Sequence, residues 1–213
     1  MNNLDAIVEA IHADFEARDA QREAALKQSR ALIRHCADLI RAVHRRQWTL
    51  VEERLATTRA AAAALRAAVA DYPEIEYAGY TQDALKEYVE AMITYAIVRG
   101  DDALPTPQAL EVEPSTYLNG LAEAASELRR NILDVLREEH DDEVERLLDA
   151  MDAVYAALFA FDFPDAITGG LRRRVDQLRG VLERTRGDVT ASIRQDRLMR
   201  ALRELEDRLD LEG

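Results

Sequence analysis

The first 46 residues constrain the fold most, because they contain neither proline nor glycine and repeat apolar side chains at helical spacing. Such spacing predicts one long helix over about residues 4–46 with a buried stripe along one side. The predicted stripe consists of Leu26, Ile33, Cys36, Ile40 and Val43. No stretch of the sequence alternates apolar and polar residues as a strand would, so the chain is predicted to be all-α.

Prolines and glycines divide the remaining sequence into further helices. They are predicted over about residues 49–70, 77–98, 115–139, 141–158, 165–186 and 188–211, with a short turn of helix starting at Thr106 and Pro107. Ser115 or Thr116 is expected to cap the helix over residues 115–139, and Gly187 to separate the last two. The expected architecture is a single-domain bundle of about seven helices over residues 1–187. A C-terminal helix, residues 188–213, should pack on this domain or on a neighbouring subunit.

Composition narrows the class of protein. The 213 residues include 48% hydrophobic residues, enough for a sizeable core, and carry a net charge of -13. The only cysteine is Cys36, which excludes an intrachain disulfide. No apolar run reaches the roughly 18 residues of a membrane span, and the N-terminus lacks the pattern of a signal peptide. We therefore expect a cytoplasmic protein that does not enter a membrane.

A line of basic residues follows one face of the first predicted helix. It consists of Lys27, Arg30, Arg34, Arg41 and Arg45, which fall within an arc of about 60°. One interpretation is a solvated face whose cations pair with Asp and Glu from neighbouring helices. The other is a track for nucleic-acid phosphates, since the acidic protein would otherwise repel a polyanion. The sequence leaves both open.

Two pairs of glutamates lie on single helix faces. They are Glu87 with Glu90, and Glu123 with Glu127. Carboxylates that converge in a helical core are costly unless they bind a cation or share protons. Oxygen ligands select hard cations such as Mg²⁺ or Mn²⁺, which can promote attack on a phosphodiester. The alternative is salt bridges to Arg129 or Arg130, and spacing alone favours it in a chain with 41 acidic residues.

Several short segments, in this order and separation, resemble the translin family, and most closely its catalytic branch, the translin-associated factor X type. They are Lys-Gln-Ser-Arg at 27–30, Val-His-Arg at 43–45, Glu-Tyr-Val-Glu-Ala at 87–91, Val-Glu-Pro-Ser-Thr-Tyr-Leu-Asn-Gly at 112–120 and the acidic helix at 117–130. The resemblance covers about residues 22–186. It implies an all-α fold of about seven helices that assembles into a ring or shell, commonly octameric, around single-stranded nucleic acid.

The resemblance also implies roles for the glutamates. In the catalytic subunits of the family, two glutamates on one helix and an acidic residue on the next bind Mg²⁺ and cut RNA. Glu87 and Glu90 match the first pair, and Glu127 matches a further glutamate. Glu123 stands where the family usually has aspartate, which keeps the charge and adds one methylene. Plain translin subunits lack the Glu-Tyr-Val-Glu arrangement and mainly bind nucleic acid.

Three functional hypotheses follow. The first is an Mg²⁺- or Mn²⁺-dependent endoribonuclease for single-stranded RNA, with Glu87, Glu90 and Glu123 as ligands and Glu127 as ligand or base. The second is a non-catalytic shell that binds RNA or DNA, and the third is a helical scaffold that uses its arginines for protein contacts. A homo-oligomer, by resemblance an octamer, is expected from the aromatic segment 159–163 and from a late leucine seam. That seam consists of Leu198, Leu202, Leu205 and Leu209.

Overall fold

The computed structural model describes residues 3–137 and 142–211 and is helical in nearly all of them. Six helices are long: α1 (Leu4–His44), α2 (Trp48–Val69), α4 (Gly79–Arg99), α6 (Pro114–Leu136), α7 (Asp142–Phe159) and α9 (Leu171–Leu211). Three are single turns: α3 (Pro73–Glu76), α5 (Pro107–Leu110) and α8 (Asp165–Thr168). These ranges contain no strand, which confirms the all-α prediction. The predicted end of α6 near residue 139 lies outside the described residues.

Helix α6 lies at the centre of the bundle, packed against α4, α7 and α9, while α1 packs against α2 and α4. One continuous core joins these helices through large, fully buried side chains such as Leu32, Ile93, Leu128, Met151 and Leu178. This arrangement places the α4–α6 contact, which carries both glutamate pairs, between the two halves of the bundle. Among the described residues, no helix is long and apolar enough to cross a membrane.

The buried face of α1 differs from the predicted stripe. Cys36, Ile40 and Val43 are buried as expected, but Ile33 is 36% exposed and Leu26 is only partly covered. Their places in the core are taken by Ser29, Leu32 and Leu39. The spacing of apolar residues predicts roughly which side of a helix is buried. The direction from which α2 and α4 pack against α1 then decides which residues on that side are covered.

Two predicted helix boundaries are wrong. Neither Ser115 nor Thr116 caps α6, because the helix begins at Pro114 and the Thr116 hydroxyl instead donates to Gln82 Oε1 at 2.5 Å. Gly187 does not end a helix, since α9 continues through it to Leu211. The buried seam of α9 continues on both sides of this glycine, with Thr185 before it and Val189 after it, and this packing outweighs the low helix propensity of one glycine.

Other boundaries agree with the sequence. Thr106 caps α5 by accepting a hydrogen bond from the Ala109 amide at 3.1 Å, and Pro107 takes the first helical position. Gly100 ends α4 in the left-handed conformation, with φ of 83°. The predicted helix over residues 165–186, by contrast, is interrupted at residues 169–170, where both glycines have positive φ and separate α8 from α9. The division into residues 1–187 and 188–213 stays a prediction.

The aromatic segment does not join the core. Phe159, Phe161 and Phe163 are 69%, 44% and 59% exposed, so they lie outside the core of this chain. Their expected role as a subunit contact stays a prediction.

Candidate metal centre

The two glutamate pairs meet because α4 and α6 approach closely at Gly120. A Cβ atom at this position would lie 2.6 Å from Val89 Cβ and 2.8 Å from the Lys86 carbonyl oxygen, closer than real atoms allow. Glycine therefore lets the backbone of α6 rest directly on α4. The contact falls one turn before Glu123 and alongside Glu87 and Glu90, so it brings these side chains face to face.

Three of the four glutamates converge. Glu87, Glu90 and Glu123 each offer a carboxylate oxygen within 4.8 Å of the others, and all three are partly buried. Glu127 is not part of this group but lies close enough to act on Glu90 electrostatically. We refer to Glu87, Glu90 and Glu123 as the acidic cluster.

Two cations hold Glu123. Lys86 Nζ lies 2.6 Å from Glu123 Oε2 and 3.3 Å from Glu87 Oε1, and Arg174 Nε donates to Glu123 Oε1 at 3.0 Å. Burial alone would lower the pKa of Lys86, but its contacts with Glu123 and Glu87 outweigh burial and raise that pKa. Arg174 comes from α9 and is fixed by Asn119, whose Oδ1 accepts from Nη1 at 3.1 Å. Sequence spacing could not have found Arg174, which lies 51 residues from Glu123.

The predicted partners Arg129 and Arg130 lie elsewhere. Arg129 binds Asp188 at 2.7 Å, and Arg130 lies 4.0 Å from Asp134 on its own helix. Glu123 therefore forms salt bridges as that alternative predicts, but with Lys86 and Arg174 rather than with Arg129 or Arg130.

Glu127 is held by a buried histidine that the sequence analysis missed. His44 Nε2 lies 2.6 Å from Glu127 Oε1, and the His44 side chain is only 1% exposed. The other ring nitrogen, Nδ1, is buried and has no hydrogen-bond partner among the residues that the structure describes. A hydrogen bond this short fixes the Glu127 carboxylate beside the acidic cluster. The only sequence signal was a histidine at the end of the α1 segment that resembles the translin family.

The surroundings of the acidic cluster disfavour the negative charge of its carboxylates. Burial and the negative charges of Glu87, Glu123 and Glu127 raise the pKa of Glu90 from 4.5 to about 8, despite the opposing effect of Lys86. Glu90 is therefore mostly protonated at neutral pH. Burial, and then the charges of Glu87 and Glu90, raise the pKa of Cys36 far above its ordinary value. Cys36 lies on α1, which packs against α4. A bound cation would compensate the charge that the protein leaves uncompensated.

The basic track on α1 is exposed as expected. All five members, Lys27, Arg30, Arg34, Arg41 and Arg45, face solvent. Arg41 pairs with Asp38 on the same helix, while the other four form no ion pair with any described residue. The track lies on the side of α1 opposite Cys36, at about 120–180° around the helix axis, and so faces away from the acidic cluster of its own chain.

The fold and the cluster define a class: an all-helical protein in which two packed helices gather three carboxylates that could hold a hard cation. No family model matches the chain. An uncharacterized protein of Methanocaldococcus jannaschii is 32% identical over 198 residues, covering 89% of this chain and 84% of that one.

Solved structures give the family. The archaeal translin-family protein AfC3PO has a TM-score of 0.77 and 33% identity, covering 87% of this chain and 96% of AfC3PO. It has also been solved in complex with duplex RNA, with the same TM-score and identity. NeC3PO shares the fold, with a TM-score of 0.78 at 16% identity. The chain belongs to the translin family, as the sequence resemblance predicted.

Proposed function

We propose that this protein binds RNA and cleaves it as a metal-dependent endoribonuclease. The observation that carries the proposal is the convergence of Glu87, Glu90 and Glu123 at the α4–α6 contact. The raised pKa of Glu90 supports it, because burial and the neighbouring carboxylates disfavour a negative charge there that a bound cation would compensate.

The residues fit Mg²⁺ or Mn²⁺. All donors are carboxylate oxygens, which these hard cations prefer. Octahedral Mg²⁺ with bonds of about 2.1 Å spaces its ligand oxygens about 3–4 Å apart, and small rotations of the glutamate side chains bring oxygens now within 4.8 Å to that spacing. Three protein ligands leave coordination positions for water and for a phosphate oxygen. Glutamate at position 123, with its extra methylene, still reaches the cluster.

Each residue has a role that follows from its surroundings. Glu87, Glu90 and Glu123 would hold the ion. When bound, the ion would polarise the phosphodiester and lower the pKa of a water molecule next to it. Glu90 must lose its proton before it can act as a ligand, so loading the site releases protons at neutral pH. Glu127, oriented by His44, would serve as a further ligand or as the base that accepts a proton from the attacking water.

RNA is the proposed substrate for two reasons. AfC3PO, at 33% identity, has been solved with duplex RNA, and four cations on α1 that pair with none of the described residues form a track of the kind that binds phosphates. We propose single-stranded RNA as the substrate that is cut, and DNA as a further ligand. Because the track and the acidic cluster face different sides of one chain, a strand that touches both would contact two subunits.

The proposal includes a closed homo-oligomer, an octamer by family resemblance, acting in the cytoplasm. Such an assembly would place tracks and clusters from different subunits around one RNA. Light scattering at high salt and micromolar concentration should give a mass well above the 24.0 kDa of one chain. A monomeric mass would contradict this part of the proposal.

A cleavage assay tests the enzymatic part. End-labelled single-stranded RNA should be cut in Mg²⁺ or Mn²⁺ and remain intact in EDTA. Glu90→Gln keeps the shape of the side chain and should abolish cleavage, whereas Glu53→Gln, an exposed site on α2, should cut at the wild-type rate. If Glu90→Gln cuts at the wild-type rate, the active site lies elsewhere. Glu123→Asp, which restores the usual family residue, should keep or increase activity.

The second candidate is a non-catalytic RNA-binding shell, and the pairing of Glu123 favours it. Both Glu123 oxygens are already bound by Lys86 and Arg174, as in a site stabilised without metal. RNA binding without cleavage under every metal condition would identify this function. A binding titration against salt distinguishes it from a protein scaffold, because phosphate binding weakens steeply with salt. Arg34→Glu combined with Arg41→Glu should weaken binding and flatten that dependence.

A further inference from the structure

Two parts of the chain extend beyond the core as helical arms with bare apolar faces. The N-terminal arm is residues 4–17 of α1, and all of these residues are exposed. The C-terminal arm is residues 194–208 of α9, where none of the side chains is buried. Isolated helices of this length are marginal in water, since most helical stability comes from a packed apolar face.

Each arm carries apolar side chains along one line. On the N-terminal arm they are Leu4, Ile7, Val8, Ile11 and Phe15, between 47% and 64% exposed. On the C-terminal arm they are Leu198, Leu202 and Leu205, between 45% and 59% exposed. Both lines repeat every three or four residues, the spacing of a two-helix seam. Within one chain, α1 packs on α2 and α4, whereas α9 packs on α6, α7 and α8.

The charges beside the two lines are of opposite sign. Residues 4–17 contain four acidic and no lysine or arginine residues, for a net charge of 0 − 4 = −4. Residues 194–208 contain five arginines and four acidic residues, for a net charge of 5 − 4 = +1. Two N-terminal arms would therefore repel each other, while an N-terminal arm against a C-terminal arm brings opposite charges together.

We propose that the N-terminal arm of one copy of this chain packs along the C-terminal arm of a second copy. The apolar lines form the seam. Arg194, Arg197 and Arg208 lie within about 110° of the leucine line around the helix and place positive charge beside the acidic arm. Because the two surfaces are different, the contact is head-to-tail, and repetition of it closes a ring if the rotation between copies allows. The pairing does not depend on nuclease activity.

Site-directed cross-linking tests the proposal in the full-length chain. Ile11→Cys and Leu202→Cys lie near the middle of each line, so they should meet whether the arms run parallel or antiparallel. Two differently tagged chains, one with each substitution, are co-expressed, purified through both tags and treated with a short bismaleimide. The native Cys36 is 1% exposed with a strongly raised pKa, so the unsubstituted protein serves as the unreactive blank.

The expected result is a covalent dimer that contains one chain of each type. Ala13→Cys, on the opposite side of the N-terminal arm from Ile11, should cross-link to Leu202→Cys only at background level. Reversal of charge with Arg194→Glu and Arg197→Glu should reduce the mixed dimer at low salt. Circular dichroism checks that each variant stays helical.

Two results would overturn the proposal. The first is no mixed dimer between correctly folded Ile11→Cys and Leu202→Cys chains. The second is efficient cross-linking of either variant to itself, most plainly Leu202→Cys, which would show that like arms pair. Either result leaves the proposed RNA cleavage untouched, because that is measured separately with the Glu90→Gln variant.

Discussion

Glu90→Gln should stabilise the metal-free protein, and increasingly so as the pH rises. Glu90 has its pKa raised from 4.5 to about 8 by burial and by three neighbouring glutamates. The folded state therefore holds this proton more tightly than the unfolded state does. Its contribution to the free energy of unfolding is complete below pH 4.5 and is lost as the pH rises through 8. Glutamine cannot ionise, so the variant avoids that loss.

The size of the effect follows from the shift. A change of 3.5 pKa units, from 4.5 to 8, corresponds to about 5 kcal/mol at most. Between pH 6 and pH 9 the wild type should lose about 2–3 kcal/mol through this group, and the variant should not. Relaxation of the protein around the Glu90 charge makes both energies smaller. The decisive quantity is therefore the increase with pH of the difference in the free energy of unfolding between Glu90→Gln and the wild type.

Urea denaturation in EDTA at pH 6 and pH 9 measures the effect. The difference in the free energy of unfolding between Glu90→Gln and the wild type should grow with pH. Glu53→Gln, at an exposed position, should give a difference that does not change with pH. Saturating Mg²⁺ should stabilise the wild type more than the Glu90→Gln variant, because the ion compensates the cluster. A pH-independent difference for Glu90→Gln would refute the assignment of uncompensated charge to this site.

Further predictions concern the residues around the acidic cluster. Gly120→Ala places a Cβ 2.8 Å from the Lys86 carbonyl oxygen and should lower the free energy of unfolding by about 1–3 kcal/mol or more. Gly187→Ala meets no atom within 4 Å and should raise it by about 0.5–1 kcal/mol in the same denaturation assay. Lys86→Met removes a cation from Glu123 and should tighten Mg²⁺ binding in calorimetry; weaker binding would contradict competition between the two cations. His44→Ala should cost about 2–4 kcal/mol of stability, with partial recovery in His44→Gln.

Sequence patterns predicted the helices well where the signal is local. Thr106 and Pro107 start α5, and Gly100 ends α4, because capping and backbone conformation involve only a few neighbouring residues. The prediction that Gly187 ends a helix was wrong because it used the low helix propensity of glycine, which is a local property. The helix continues because α9 packs against α6 and α7, which are distant in sequence. The exposure of Ile33 has the same origin, since other helices choose the covered side of α1.

The sequence by itself determined that the chain is all-α, that it belongs to the translin family, and that Glu87, Glu90, Glu123 and Glu127 share faces of two helices. Only the tertiary structure decided what these glutamates meet. Three converge, Glu123 binds Lys86 and Arg174, and Glu127 binds His44. Helical spacing follows from 3.6 residues per turn and is visible in the sequence. Partners 51 and 83 residues away depend on how helices pack, which no local pattern encodes.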